Sequence, residues 1–207
     1  MTIAEKAPDY VCTFAGSGLL SAYAWTGTGD IRPGTNQWLK DADTGGEEYT
    51  ANISVANGVA YNSNQGNNYA LYFLDIGVPV KKLCIDLKNV GNDVADGIEV
   101  ILRASTNLVV GSGYSHVQMM TDAGLQKKML IGNRASVSAA SLNVSTDWNT
   151  LYQTLTITDT GTVITAQLGA NILSWENTEI GGTFIGIGGW DFTAANVCFW
   201  DNLRIWV

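Results

Sequence analysis

The sequence has few charged residues, and basic ones are especially scarce. Charged residues make up 14% of the 207 residues, and 11 Lys and Arg stand against 19 Asp and Glu, for a net charge of −8. This balance would repel a nucleic-acid backbone. Lys81-Lys82 and Lys127-Lys128 are isolated pairs, typical of strand edges or turns. We therefore expect no nucleic-acid partner.

Cysteine, proline and long apolar runs are scarce as well. The three cysteines are odd in number and lack a CxxC spacing, so buried thiols are expected at Cys84 and Cys198 rather than a zinc site or a disulfide framework. No apolar stretch approaches about 18 residues, which argues against membrane insertion. The start, MTIAEKAPDY, lacks the basic and apolar regions of a signal peptide. This favours a protein made without export, unless a leader was removed.

Alternation of apolar and polar residues with period two is abundant, and it predicts half-buried strands. Leu83, Ile85 and Leu87 share one face of a strand. Residues 151–168 give the clearest hairpin, with its turn at Asp159-Thr160-Gly161. We expect at most one helical turn, over residues 135–142.

This pattern predicts an all-β protein. About a dozen short strands without helices imply a two-sheet antiparallel β-sandwich, because a single sheet would leave one face uncovered. Residues 1–8 are expected to form a short N-terminal arm, and residues 9–207 a single sandwich domain.

The order of motifs resembles a known fold. The stretch TFAGSGLLSAYAW is followed by YALYFLDIG, DGIEVILRAS and the hairpin DWNTLYQTLTITDTGTVITAQL, and the chain closes on IGIGGW and FWDNLRIW. Over residues 9–207 this succession resembles a concanavalin A-like (laminin-G-like) jelly roll of the lectin/glucanase superfamily, of the kind found in phage and virion surface proteins. The resemblance is more specific for fold than for function, since this fold hosts lectins, hydrolases, adhesion modules and virion proteins.

The enzymes of that superfamily suggest a direct test for catalysis. Its retaining glucanases carry Glu-x-Asp-x-Glu on one strand, which places two carboxylates on the same face. No such triplet occurs here: Asp86 and Glu99 each stand alone on their strand, and only a pair assembled from different strands stays open. The single histidine, His116, is expected to be an ordinary surface or core residue. We therefore predict that the chain is not an enzyme and has no catalytic residues.

Two acidic loops are weak candidates for calcium, which is bound by oxygen ligands at loop edges in several members of the superfamily. Neither loop fits a complete EF-hand, and short acidic Gly loops are usually solvated turns. No cofactor is therefore expected, with calcium as the alternative. The candidate ligands are Asp41, Asp43, Glu47, Asp93 and Asp96.

The closing strand offers candidate binding residues. By parity Leu203 and Ile205 should face the core, and the opposite set should lie on an outer surface. Aromatic rings beside Arg and Asn are suited to stacking and hydrogen bonding a sugar. The alternatives are a subunit contact or cover by the N-terminal arm. This outer set consists of Trp200, Asn202, Arg204 and Trp206.

The turn before the closing strand is a second candidate. Trp190 is expected near a loop tip, with Asp191 and Asn196 as polar neighbours. A tryptophan at such a place can anchor a partner or fold back over the edge of the sandwich. The tentative ligand-binding set is therefore Trp190, Asp191, Asn196, Trp200, Arg204 and Trp206.

These observations favour an interaction protein. We expect a non-catalytic virion surface component, a capsid decoration or tail fibre protein, that docks on other protein subunits and has host glycans as a further ligand. A homo-oligomer is compatible with this expectation. The alternative is a free-standing carbohydrate-binding, lectin-like module, and a glycoside hydrolase is the less favoured third reading. The expected location is the virion surface after synthesis in the host cytoplasm, or else an extracellular one.

Overall fold

The computed structural model describes most of the chain, and the two strand-rich halves of a sandwich are clear in it. The described residues are 6–22, 37–41, 51–64, 70–91, 97–105, 115–121, 126–133, 136–177, 181–190 and 192–207. They contain sixteen strands and one 3-10 turn, Leu20–Ala22. None of the helical structure in these stretches is long and apolar enough to cross a membrane.

One sheet has nine strands, in the order β14-β13-β12-β7-β16-β5-β4-β2, with β1 pairing beside β5 on the same edge of β16. Its strands are β1 Tyr10–Cys12, β2 Ser17–Leu19, β4 Ile53–Ala56, β5 Val59–Asn62, β7 Lys82–Asn89, β12 Gln153–Asp159, β13 Val163–Leu168, β14 Asn171–Glu176 and β16 Cys198–Trp206.

The other sheet has seven strands, in the order β11-β10-β9-β8-β15-β6-β3. Every strand pairing in both sheets is antiparallel. Its strands are β3 Leu39–Lys40, β6 Ala70–Asp75, β8 Gly97–Ala104, β9 Ser115–Thr121, β10 Lys127–Asn133, β11 Ser136–Asn143 and β15 Phe184–Trp190. The predicted all-β sandwich is therefore confirmed.

The apolar core lies between the two sheets and follows from the alternation of each strand. Leu83, Ile85 and Leu87 of β7 are fully buried, as their shared parity predicts. In the central strand β8 all eight residues are buried. Ile98, Val100 and Leu102 join the main core, whereas Ile101 and Ala104 pack in a separate apolar cluster with Leu71 and Phe73. This second cluster lies on the outer face of the seven-stranded sheet, away from its partner sheet.

The predicted hairpin is confirmed in its two strands and its turn. Leu155 pairs with Leu168, and the Thr160 amide donates to the Val163 carbonyl at 3.0 Å. Gly161 has a φ of 94°, a conformation that disfavours any side chain. Leu151, which the alternation grouped with this strand, instead precedes it and is 63% exposed.

Two further expectations are settled by the fold. All three cysteines are buried, as expected for Cys84 and Cys198. The predicted helical turn over residues 135–142 is wrong, because residues 136–143 form β11, which pairs along β10. Sequence propensity over so short a stretch is outweighed by the ladder hydrogen bonds that the neighbouring strand offers.

Candidate functional site

The six residues of the predicted ligand-binding set do not meet in one place. Trp190 belongs to the seven-stranded sheet, and Arg204 and Trp206 to the nine-stranded sheet. Asn196 lies in the exposed turn between β15 and β16, and Trp200 lies in the core. Asp191 falls outside the described residues.

A β-bulge explains why Trp200 is not where parity places it. The pairing of β16 with β7 shifts between Asp201 and Arg204, and Asn202 has a positive φ of 48°. The extra residue reverses the alternation halfway along the strand. Trp200 therefore points into the core with 0% exposure, on the same side as Leu203 and Ile205, and cannot stack on a ligand.

The Trp206 side chain faces outwards, but it already contacts two lysines of the same chain. Its indole Nε1 donates to the Lys6 carbonyl at 2.8 Å, and the Lys82 ammonium lies 4.7 Å from its ring centroid. Trp206 is thus in contact with Lys6, a residue of the predicted N-terminal arm.

The turn that carries Asn196 is organised by a residue that the sequence did not single out. Asn62, at the end of β5, is fully buried. Its Oδ1 accepts the amides of Val197 and Cys198, both at 2.8 Å, and its Nδ2 donates to the Ala194 carbonyl at 2.7 Å. One asparagine thus satisfies three backbone groups of an irregular segment.

The outer face of the nine-stranded sheet carries a polar network around Asp86. The Thr154 hydroxyl donates to Asp86 at 2.6 Å, and Asn202 Nδ2 donates at 3.0 Å. Arg204 lies 3.5 Å from the same carboxylate. Asp201 stands directly opposite on β16, and burial, with a further contribution from the Asp86 charge, raises the pKa of Asp201. Arg204 is therefore held by an intramolecular network.

Trp190 stands on the outer face of the seven-stranded sheet, at the end of β15. It pairs with Gly97 of β8, and a Cβ added at Gly97 would lie closer than 3.0 Å to Cζ2, Cε2 and Cη2 of the indole. The six-membered ring thus occupies the space that any side chain at position 97 would need. Trp190 is partly exposed, which leaves part of the ring accessible to a ligand.

A buried, hydrogen-bonded Glu–His pair lies beside this ring, on the same face. Glu99 follows Gly97 by two residues, about 7 Å along β8, and is fully buried. Its Oε1 lies 2.8 Å from His116 Nδ1. Gln118 of β9 stands directly opposite Glu99, is partly exposed, and has its Nε2 3.5 Å from His116 Nδ1. We call these three residues and Trp190 the Glu99 cluster.

The Glu99 cluster has unused hydrogen-bonding capacity. Glu99 Oε2 is buried and makes no hydrogen bond in the described part of the chain. A buried carboxylate oxygen without a donor is costly, so such a position favours an ordered water or a ligand hydroxyl. His116, which the sequence predicts to be an ordinary surface or core residue, is buried, and its Nδ1 pairs with Glu99. The sequence missed the cluster because its members come from three strands.

Most of the candidate calcium ligands lie outside the residues that the structure describes. Asp41 is described and buried, with its amide donating to the Leu71 carbonyl at 2.9 Å. Asp43, Glu47, Asp93 and Asp96 lie outside the described residues. No group of three or more potential metal ligands occurs among the residues that are described.

Comparison with known proteins finds solved structures of similar fold, and no match by sequence. No family model and no curated protein matches the sequence. Among solved structures, the chain is similar to a Bacillus licheniformis β-glucanase, with a TM-score of 0.62 and 12% identity over 98% of this chain and 100% of that one. The catalytic domain of an endo-1,3-β-glucanase (laminarinase) from Thermotoga petrophila RKU-1 is similar with a TM-score of 0.62 and 9% identity over 98% of both chains. The carbohydrate-binding module CBM66 from Bacillus subtilis is similar with a TM-score of 0.51 and 11% identity over 72% of this chain and 86% of that one.

These likenesses confirm the resemblance in fold: the chain is a concanavalin A-like jelly roll. They contradict the expected virion surface component, since the similar structures are mostly glycoside hydrolases, with carbohydrate-binding proteins among the rest. The prediction that the chain is not an enzyme is contradicted by the same finding. The missing Glu-x-Asp-x-Glu triplet was too narrow a criterion, because it tests one arrangement of carboxylates on one strand.

Proposed function

We propose that the chain binds a β-glucan or a closely related neutral polysaccharide on the outer face of its seven-stranded sheet, at the Glu99 cluster. Trp190 supplies the surface on which a sugar ring stacks, and Gln118 supplies an amide for its hydroxyls. Glu99 and His116 lie behind them and hold Gln118 in place. The observation that carries this proposal is the partly exposed Trp190 ring seated on Gly97, next to a buried carboxylate with a vacant acceptor.

The chemistry of the cluster supports a neutral sugar as ligand. Pyranose rings present apolar C–H faces to aromatic rings and hydroxyls to amides and carboxylates, and sugar sites combine these two features. Similar structures include enzymes named for β-1,3-glucan and for mixed-linkage glucan. The alternative of a lectin-like module, which the sequence left open, is thus the reading that we carry forward.

Hydrolysis of the same polysaccharide is a second candidate. It is favoured by the glucanases among the similar structures and by the carboxylate of Glu99 on this face. The two-carboxylate mechanism needs a second acid at about 5–5.5 Å for retention or 6.5–9.5 Å for inversion. Among the described residues, Asp41 is three strands away from Glu99, so their backbones are roughly 14 Å apart. Binding is therefore the primary proposal.

The proposal is tested by affinity electrophoresis in gels containing mixed-linkage β-glucan, β-1,3-glucan or xylan. Wild-type protein is compared with Trp190→Ala and with Trp206→Ala, a matched control on the other sheet. We expect retardation by at least one β-glucan. Trp190→Ala should weaken it about tenfold, about 1.4 kcal/mol, the size of a strong interface contact. Trp206→Ala should leave the affinity unchanged.

Reducing-sugar release from the same polysaccharides addresses hydrolysis. Activity that is present in the wild type and absent in Glu99→Gln, with binding retained, would establish the second candidate. Absence of binding to every polysaccharide by a folded wild type would refute the proposal. Equal loss of binding in Trp190→Ala and Trp206→Ala would refute the assigned face.

A further inference from the structure

A cavity of about 540 Å³ opens at one end of the sandwich, away from the Glu99 cluster. It is formed where the β6–β7 connection, the β12–β13 turn, the end of β8 and the approach to β15 come together. Its volume lies within the usual range of small-molecule sites. The lining residues on which the argument rests are Pro79, Val80, Lys81, Thr183, Phe184 and the glycine Gly181.

A buried ion pair forms one wall of this cavity and joins the two sheets. Arg103 of β8 donates from Nε to Asp159 Oδ2 of β12 at 2.6 Å, and its second contact completes a bidentate pair. Each side chain is 7% exposed. Arg103 has a positive φ of 57° next to an irregularity in the β8–β15 pairing, and this bend turns its guanidinium towards the other sheet. The wall is therefore rigid and electrically balanced.

Lys81 is the charged residue of the described cavity lining that lies outside this ion pair. Arg103 and Asp159 neutralise each other, so Lys81 carries the remaining charge of the described lining. Asp9 is near enough for Lys81 to help lower its pKa, but the hydrogen bond from Lys6 is the larger cause. The Asp75 carboxylate lies behind the lining, on Thr183, so the cationic position of the cavity is the Lys81 ammonium itself.

The remaining lining favours an apolar body. Pro79, Val80 and Phe184 contribute hydrocarbon surface, and the hydroxyl of Thr183 is already engaged with Asp75 at 2.6 Å. We infer that this cavity binds a small amphipathic carboxylate, with its apolar or aromatic body against Phe184 and Val80 and its carboxylate at Lys81. The site is separate from the proposed polysaccharide face, because Phe184 and Trp190 are at opposite ends of β15, roughly 20 Å apart.

Titration of the ¹⁵N-labelled full chain with 2-naphthoate, followed by amide NMR, tests this inference. The neutral 2-naphthamide and the cationic 2-naphthylmethylamine serve as probes of equal shape. We expect saturable shifts of the Gly161, Gly181 and Thr183 amides with naphthoate. Naphthamide should bind about fivefold more weakly, the scale of a partly exposed ion pair, and the amine more weakly still.

Two substitutions separate the charge of the site from its volume. Lys81→Gln should reduce naphthoate affinity about fivefold and leave naphthamide affinity unchanged. Gly181 lines the cavity and a Cβ there meets nothing within 4 Å, so Gly181→Trp introduces an indole at the lining without a clash at Cβ, and Gly181→Ala is the matched control. Gly181→Trp should abolish binding of both probes, whereas Gly181→Ala should retain it.

Several outcomes would overturn the inference. Absence of saturable shifts at these amides would refute the site, and unchanged affinity in Gly181→Trp would place the probes elsewhere. Equal binding of the amine and the carboxylate, or unchanged naphthoate affinity in Lys81→Gln, would refute the assignment to an anion. Polysaccharide binding by Gly181→Trp should equal that of the wild type, so failure at this cavity is distinguishable from failure of the proposed function.

Discussion

Gly97→Ala is the substitution that most directly tests the seating of Trp190. The added methyl group would lie closer than 3.0 Å to three ring carbons, where ordinary contact distances are 3.4–4 Å. The indole must therefore shift by about 1 Å or more, or change its rotamer. Overpacking of this kind costs about 1–3 kcal/mol of folding free energy. Because the ring also forms the proposed stacking surface, polysaccharide affinity should fall about tenfold.

A double-mutant cycle tests whether the contact with the Trp190 ring causes the destabilisation by Gly97→Ala. In the background of Trp190→Ala the ring is gone, so adding the methyl group at position 97 should cost less than about 0.5 kcal/mol. The difference between the two backgrounds, about 1–2 kcal/mol, is the coupling energy expected of residues in direct contact. Urea unfolding followed by circular dichroism measures all four proteins. Gly181→Ala, whose methyl group meets open space, is the control.

Two results would refute this reasoning. If Gly97→Ala destabilises the protein equally with and without the indole, the cost comes from the backbone and not from Trp190. If Gly97→Ala displaces the ring, seen as a change in tryptophan fluorescence, but keeps full polysaccharide affinity, then Trp190 does not form the stacking surface.

Two further predictions concern the β15–β16 turn and an exposed acid. Asn62→Ala removes the acceptor for the buried Val197 and Cys198 amides and should destabilise the fold by about 2–4 kcal/mol, measured by urea unfolding. Wild-type stability in this variant would show that other acceptors replace Asn62. The pKa of Asp147 is lowered to about 2, first by the Thr150 hydroxyl, so its stabilising effect is present above its usual value of 3.8 and is lost as the pH falls towards 2. A carboxyl ¹³C titration should show this midpoint, and it should rise in Thr150→Ala; an unshifted midpoint in that variant would contradict the assigned cause.

Local patterns in the sequence predicted those parts of the fold that local chemistry decides. Alternation in β7 identified its buried face, and Asp159-Thr160-Gly161 identified the β12–β13 turn, because both depend on residues adjacent in the chain. The predicted outer position of Trp200 is wrong, since it assumed an unbroken alternation through β16. The bulge at Asn202 is set by pairing with β7, more than a hundred residues earlier in the chain.

The candidate site could not be predicted from local sequence patterns either, because its residues meet only through strand pairing. Glu99 and His116 were both noted in the sequence, each as an isolated residue. Their contact depends on the register between β8 and β9 across residues 105–114, and the distance along the chain does not determine that register. Trp190 was noted as a loop-tip residue, whereas it closes β15 and faces Gly97 across the ladder.

The position of β16 has a consequence for how the molecule reaches its folded state. This strand joins β7 on one side to β5 and β1 on the other, so among the described strands it is the connection between the two halves of the nine-stranded sheet. During synthesis from the N-terminus, the edges of β7 and β5 that pair with β16 stay unpaired until residues 198–206 have been made. Such long-range closure slows folding and leaves strand edges open to wrong partners. Yield in cells should therefore depend more on chaperone supply and growth temperature than on the stability of the finished sandwich.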